Sequence, residues 1–315
     1  MPRRAIIDLG TVTCRLMIGD LKPDGSPEVL YRSSEIVNLG EGVDANGYFL
    51  PEAMQRVDAA VASFVQTIDS FASPEEPVEV LAVGTSACRD SSNTNELIQM
   101  LAAHGVNLQV ISGEQEAGFC FVGASEGRQG SNLLVVDVGG GSTELIAGRA
   151  GQAPFFVHSF DIGSRRITER FLHSDPPTAS EIAKARAWCT PQFADYFKQL
   201  EDRGFRIDCI VAVAGTATSL VSIDKAMEVY DRNQVHNACI TRETLDALGA
   251  RLASLTLEQR KHVVGLQPKR ADVIVGGIAI LQSVLDAASA SEFTVSECDL
   301  LQGALCSDRA DATVG

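Results

Sequence analysis

Apolar residues in the first third of the chain fall into short runs separated by segments of helical spacing. Residues Arg4 to Gly19 hold an apolar run, the small turn Gly10-Thr11-Val12-Thr13, and a second run through Ile18. That pattern predicts strand, tight turn, strand. From Pro51 to Phe71 the apolar positions Met54, Val57, Val61, Phe64, Val65 and Ile68 have the spacing of an amphipathic helix, with Pro51 in its first turn. Val78 to Val83 reads as a strand, Asn95 to His104 as a helix, Val106 to Ile111 as a strand and Glu114 to Gly123 as a helix. With a third strand counted, without bounds, before the first helix, the order is βββαβαβα.

The second half opens as the first does. A strand from Asn132 to Asp137 runs into Gly139-Gly140-Gly141-Ser142-Thr143 and then into a strand from Glu144 to Ala147. In both halves a buried strand delivers an Asp, glycine and hydroxyl residues make a turn, and an apolar strand leads away. Asp8 and Asp137 hold equivalent places. This internal repeat predicts two domains of one architecture, each presenting a phosphate-sized turn to a shared cleft. Further on, helices are predicted from Asp161 through Phe171, over Ser180 to Leu200 and over Thr241 to Leu255. A strand from Ile207 to Ala214 leads into Gly215-Thr216-Ala217-Thr218-Ser219, which can open a helix at an anion-friendly N-terminus. The pattern ends with a helix over Ala271 to Leu285, a strand over Glu292 to Ser296 and a helix over Leu300 to Leu305.

Composition narrows the picture. At about 150 residues per domain, 315 residues allow two domains. The apolar runs are strand-length and well short of the roughly 18 residues of a membrane span. After Met1-Pro2-Arg3-Arg4 no unbroken apolar signal segment follows, so the expected location is the cytosol. Eight cysteines are scattered with no C-x-x-C pair and read as reduced thiols. A formal charge of −15 argues against a broad nucleic-acid surface, which relies on clustered Lys and Arg. A polyanionic substrate would need local help from turn amides, a few arginines and a divalent cation.

Several residues supply those parts. Asp137 precedes three glycines, which let the backbone approach a phosphate while a strand-end carboxylate holds a metal ion or its water shell. The simpler reading of the triplet is a tight hairpin. Arg89 stands at a strand exit, where it can make a bidentate phosphate contact or pair with Asp90 or Glu96. Glu116 lies at a helix start, where it favours the helix dipole. Facing a cleft, it could orient a water as general base, with Glu144 as the competing carboxylate.

Four ordered segments, Ala5 to Gly10, Ala82 to Asp90, Ile111 to Ala117 and Asp137 to Glu144, resemble the exopolyphosphatase and guanosine pentaphosphate phosphohydrolase (Ppx/GppA) family. The likeness continues through Ser159 to Phe171, Val211 to Leu220, Val235-His236, Arg270 to Ile274 and Ser296-Glu297. It implies an α/β fold of two ribonuclease-H-like domains of the actin, sugar kinase and heat-shock ATPase superfamily. The domains implied are residues 1–123, joined by a C-terminal helix in 298–315, and residues 124–297. It also implies a hydrolase releasing terminal phosphate with Mg²⁺, or Mn²⁺ in its place, from inorganic polyphosphate or guanosine pentaphosphate, in a chain able to form a homodimer.

By the same resemblance Glu116 activates water and Glu144 is a second catalytic acid. Asp8, Asp137 and Glu144 attend the metal. Thr11, Thr13, Arg15, Arg89, Gly139, Gly140, Gly141, Ser142, Thr143, Gly215 and Thr216 attend phosphate. The chain departs from the family pattern at Thr11, Val12 and Thr13 in the first turn, at Gln115 beside the base, and at Ala214, where a Gly is common. These departures leave room for a polyphosphate- or alarmone-binding protein with weak hydrolysis, and fold analogy alone allows an ATP-dependent small-molecule kinase of the same superfamily.

Overall fold

The first apolar run becomes β1 (Arg3–Leu9), which turns through residues 10–12 into β2 (Thr13–Leu21). In this computed structural model, residues 3–73 and 77–307 are described. They divide into unit 1, Met1–Gly123 with Asp299–Gly315 as far as these are described, and unit 2, Ala124–Cys298. Positions 308–315 of the expected C-terminal helix lie outside the described residues, as do Met1 and Pro2.

Unit 1 continues with β3 (Pro27–Ile36), α1 (Val43–Asn46), α2 (Pro51–Ser70), β4 (Val78–Gly84), α3 (Ser86–Asp90), α4 (Thr94–Ala102), β5 (Leu108–Val110) and α5 (Gly113–Ala124). Pro51 fits the first turn of α2, where its missing N–H costs nothing, and Ala53, Val57, Ala60, Val61, Phe64 and Ile68 form its buried stripe. The sheet order is β3-β2-β1-β4-β5. Alternation along β1 sends Ala5, Ile7 and Leu9 into the core with α2, and Ile6 into a second cluster with Phe119, Leu300, Leu301 and Leu305. Asp8 shares the parity of Ile6 and so lies on that second face.

Unit 2 contains β6 (Asn132–Val138), β7 (Thr143–Arg149), β8 (Pro154–Phe160), α6 (Ser164–Phe171), α7 (Ala179–Asp202), β9 (Cys209–Val213), α8 (Ala214–Asp224), α9 (Arg232–Val235), β10 (Cys239–Thr241), α10 (Arg242–Ala253), α11 (Leu257–Arg260), α12 (Ile274–Ala288) and β11 (Glu292–Val295). Thr178 and Glu181 close a capping box at the start of α7. α12 is buried continuously from Ile274 to Leu285 and forms the centre of this unit's core with α6, α7 and α10. The last helix, α13 (Leu300–Cys306), packs with unit 1 against β1 and β2.

The two sheets repeat one topology. Read from β8, the second runs β8-β7-β6-β9-β11, and β10 adds an antiparallel edge. In each sheet the first two pairings are antiparallel and the next two parallel. The parallel strands β1, β4 and β5 end at one edge of unit 1, and β6, β9 and β11 end at one edge of unit 2. Ligands of open α/β sheets bind outside such carboxyl ends.

Candidate active site

At the carboxyl edge of unit 1 lie Asp8, the β4 exit with Arg89, and the β5 exit with Glu116. Asp8 stands opposite Arg15 in the β1–β2 register. The Arg15 guanidinium donates to Asp8 Oδ2 from Nε at 2.8 Å and Nη2 at 2.6 Å, and its Nη1 donates to Asp299. Asp299 also accepts the Leu301 N–H as N-cap of α13, so it ties that helix to the first turn. One guanidinium shared by two carboxylates has consequences for both partners. Burial pushes the Asp8 carboxyl above its ordinary value, Arg15 counters this, and Asp299 adds repulsion. Burial also works against the charge on Arg15, but Asp299 and Asp8 outweigh it and hold that charge firmly.

Gly10 N–H donates to Thr13 O at 2.9 Å and closes the first turn. The Thr11 carbonyl accepts from Gly40 N–H, and the Val12 carbonyl from Val37 and Asn38 N–H. A side chain at position 40 would overlap the Thr11 methyl, at 2.2 Å, so glycine allows this approach. Val12 and Thr11 are buried. Arg89, in α3, donates from Nη1 to Glu116 Oε2 at 2.8 Å and to Ile111 O at 3.0 Å. The pairing is one the sequence did not offer: Glu116 sits in the first turn of α5 and is 8 % exposed, with its carboxylate oriented by Arg89.

Unit 2 repeats the turn with different chemistry. Gly139 N–H donates to Ser142 O at 3.0 Å, as Gly10 does to Thr13. The residue opposite Asp137 is Glu144, and the residue opposite Glu144 is Ser159, whose hydroxyl donates to Glu144 Oε1 at 2.6 Å. Unit 1 has Asp8, Arg15 and Ser34 in the matching row. Asp137 and Glu144 are 7 % and 1 % exposed.

Carbonyls of the triglycine turn point back into the protein. Gly139 O accepts from Ser164 N–H and Gly140 O from Arg165 N–H, each at 2.9 Å, while Gly141 O accepts from Arg166 Nε at 3.0 Å. A side chain on Gly163 would lie 2.2 Å from the Gly140 oxygen, so its absence lets α6 reach the turn. Among the described residues the N–H groups of Gly140, Gly141 and Ser142 have no hydrogen-bond acceptor. Successive amides left open in a turn form an anion-binding concavity. Thr143 differs from its neighbours: its side chain is fully buried and its hydroxyl donates to Ile162 O.

The loop after β9 starts α8 behind an apolar N-cap, Val213, which gives the first helical amides no side-chain acceptor. Ala214 has φ of 64°, a left-handed conformation that suits the glycine common at this place. Gly215 packs against Arg270, whose Nη1 would lie 2.1 Å from an added Cβ, and Thr216 is buried against Gly277. After β11, Glu297 accepts from Arg232 Nε at 2.6 Å and from Tyr230, and its N–H donates to His236 Nδ1 at 3.2 Å.

Asp299, Ser159 and Arg166 were not singled out in the sequence as functional. Asp299 before Leu300-Leu301 is legible as a cap, but its contact with Arg15 spans 284 positions. The donor set of the Asp137–Glu144 row is oxygen-only, which suits a hard cation. Among the described residues no group of three or more His, Cys, Asp or Glu forms a metal cage. Mg²⁺ needs none, because it is held by one or two carboxylates plus substrate phosphates. Two carboxylates opposite each other also repel, a cost a bound cation would offset.

Comparison with known proteins agrees with this architecture. The model of the Ppx/GppA phosphatase family matches residues 20–311. Exopolyphosphatase 2 of Mycobacterium tuberculosis is 35% identical over 318 residues, covering 96% of this chain and 97% of that one. An exopolyphosphatase structure from Cytophaga hutchinsonii superposes with a TM-score of 0.86 at 28% identity, covering 96% of each chain. The Aquifex aeolicus Ppx/GppA structure gives 0.79 at 27% identity, covering 97% of this chain and 96% of that one. The two repeated sheets are those of the actin-like ATPase superfamily, to which these neighbours belong. The chain belongs to the Ppx/GppA phosphatase family.

Proposed function

We propose that this protein is a metal-dependent phosphoanhydride hydrolase that releases terminal orthophosphate from inorganic polyphosphate. The observation that carries the reading is the triglycine turn, with three open amides beside the opposed carboxylates of Asp137 and Glu144. The relative named for exopolyphosphatase, at 35% identity, points the same way.

In this reading the amides of Gly140, Gly141 and Ser142 bind phosphate oxygens. Asp137 and Glu144 would hold Mg²⁺ or Mn²⁺, which would offset negative charge on the phosphate oxygens. Of the three carboxylates expected at the metal, Asp8 is the one we place outside it, because Arg15 already balances its charge through Oδ2, although its buried Oδ1 accepts no hydrogen bond among the described residues. Glu116, oriented by Arg89, takes a proton from water as the water oxygen bonds to the terminal phosphorus. The bridging P–O bond breaks, and the chain leaves one phosphate shorter. The eight cysteines are free, and burial pushes the Cys88 thiol up to about 12. Free thiols fit a cytoplasmic location, which we propose with the function.

Orthophosphate release from long-chain polyphosphate, with and without Mg²⁺, tests the proposal in the wild type and Glu116→Gln. We expect Mg²⁺-dependent release that falls by about 10²–10⁴-fold in the variant, the scale for losing a general base. Full activity in Glu116→Gln would move the role to another carboxylate. Faster turnover of guanosine pentaphosphate than of polyphosphate would change the substrate. Binding of polyphosphate without release would replace hydrolysis by sensing.

A further inference from the structure

A turn of three glycines has a built-in weakness. Each peptide unit carries its C=O and N–H on opposite sides. With no Cβ on either flank, a Gly-Gly peptide can rotate and exchange the two directions at little cost, and the Gly141–Ser142 peptide is free of a Cβ on its glycine flank, where Ser142 alone resists the rotation. A rotation in the 139–142 turn would put a carbonyl oxygen where a phosphate oxygen should sit.

Each open amide is therefore only as well placed as the carbonyl behind it. The Gly140 N–H belongs to the peptide whose carbonyl is Gly139 O, anchored by the Ser164 N–H at 2.9 Å. The Gly141 N–H is set by Gly140 O, anchored by the Arg165 N–H at 2.9 Å and the Arg166 N–H at 3.3 Å. The Ser142 N–H is set by Gly141 O, and here the anchor is a side chain, Arg166 Nε at 3.0 Å. Unit 1 has no such dependence: backbone N–H groups of Gly40, Val37 and Asn38 hold the carbonyls of Thr11 and Val12, and those two residues carry side chains.

We propose that Arg166 is a positioning residue, which fixes the Gly141–Ser142 peptide so that the Ser142 N–H faces the bound phosphate. The inference rests on the reading of this turn as a phosphate site. It assigns to Arg166 a hydrogen-bonding role rather than a charge role, and the two are separable. Gln keeps a neutral N–H donor, Lys keeps the charge on a longer-reaching ammonium, and Leu keeps neither.

The experiment compares Arg166→Gln, Arg166→Lys and Arg166→Leu in the full chain. It reads kcat and KM for inorganic tripolyphosphate with Mg²⁺, and Kd for inorganic tripolyphosphate by calorimetry without Mg²⁺. Leu should raise KM and Kd by up to about tenfold, the upper worth of one ordinary hydrogen bond, with a smaller change in kcat. Gln should recover most of that loss. Activity near wild type in Lys with Gln as poor as Leu would show that charge matters and would overturn the inference, as would an unaffected Leu variant. If Leu fails to fold, the contrast between Gln and Lys still decides. A wild type that neither binds nor hydrolyses tripolyphosphate would refute the phosphate reading itself, and the role of Arg166 with it.

Discussion

The two turns share a backbone and differ in charge. Strand, glycine-started turn and returning strand recur with the same closing bond, Gly10 N–H to Thr13 O and Gly139 N–H to Ser142 O. The cross-strand row reads Asp8, Arg15, Ser34 in unit 1 and Asp137, Glu144, Ser159 in unit 2. In the first row an arginine closes on the acid from within the chain, and Asp299 completes the arrangement. In the second, acid faces acid, and a hydroxyl rather than a cation meets Glu144 on β8. The duplicated architecture thus sets acid against arginine in one turn and acid opposite acid in the other, and the second is where we propose that cation and phosphate bind.

The largest effect that sharpens this contrast is on stability. Asp8→Asn removes one partner of a buried, hydrogen-bonded ion pair, which should cost about 3 kcal/mol, at the low end for such pairs because Arg15 keeps Asp299. Asp137→Asn removes one of two carboxylates that stand opposite each other, and relief of their repulsion should make its cost the smaller of the two. Urea unfolding of both variants checks this, and equal losses would break the contrast. A smaller effect tests the β9 exit. The β-sheet registers align Ala214 with Gly84 of unit 1, and Ala214 alone of the two has a positive φ. Ala214→Gly relieves the left-handed backbone but adds freedom to the unfolded chain, for a net gain of about 0.5 kcal/mol. A loss of stability on urea unfolding would contradict the strain assigned to this position.

Much of the fold was legible because it rests on local periodicity. The α2 stripe, the two hairpins and the runs before each turn are written in short stretches of sequence. What escaped was set by tertiary partners. β5 is only Leu108–Val110 rather than Val106 to Ile111, because Val106 N–H closes back on Leu101 O at the end of α4. The edge strand β8, started by Pro154, and the three-residue β10 carry too little pattern to be read alone. α3 forms where an irregular strand exit was expected, since five residues are too few for a period.

At the candidate site, residue identities were legible and pairings were not. Arg89 was open to Asp90, Glu96 or phosphate, and the structure gives it Glu116. The family resemblance assigned Arg15 to phosphate, and in the structure its N–H groups meet Asp8 and Asp299. Nothing in the sequence near Arg15 announces a carboxylate arriving from the far end of the chain. The hydroxyl of Thr143 is likewise taken by Ile162 O, a consequence of strand parity that the turn motif hides.

The central claim is that the acidic row of unit 2, and not the paired row of unit 1, takes the cation. It is tested most directly by the Mg²⁺ concentration that half-saturates orthophosphate release from polyphosphate in Asp137→Asn and Asp8→Asn. The account predicts an increase of about tenfold to hundredfold for Asp137→Asn, the scale on which metal sites respond to lost support, and no shift for Asp8→Asn. An increase in Asp8→Asn with none in Asp137→Asn would contradict it.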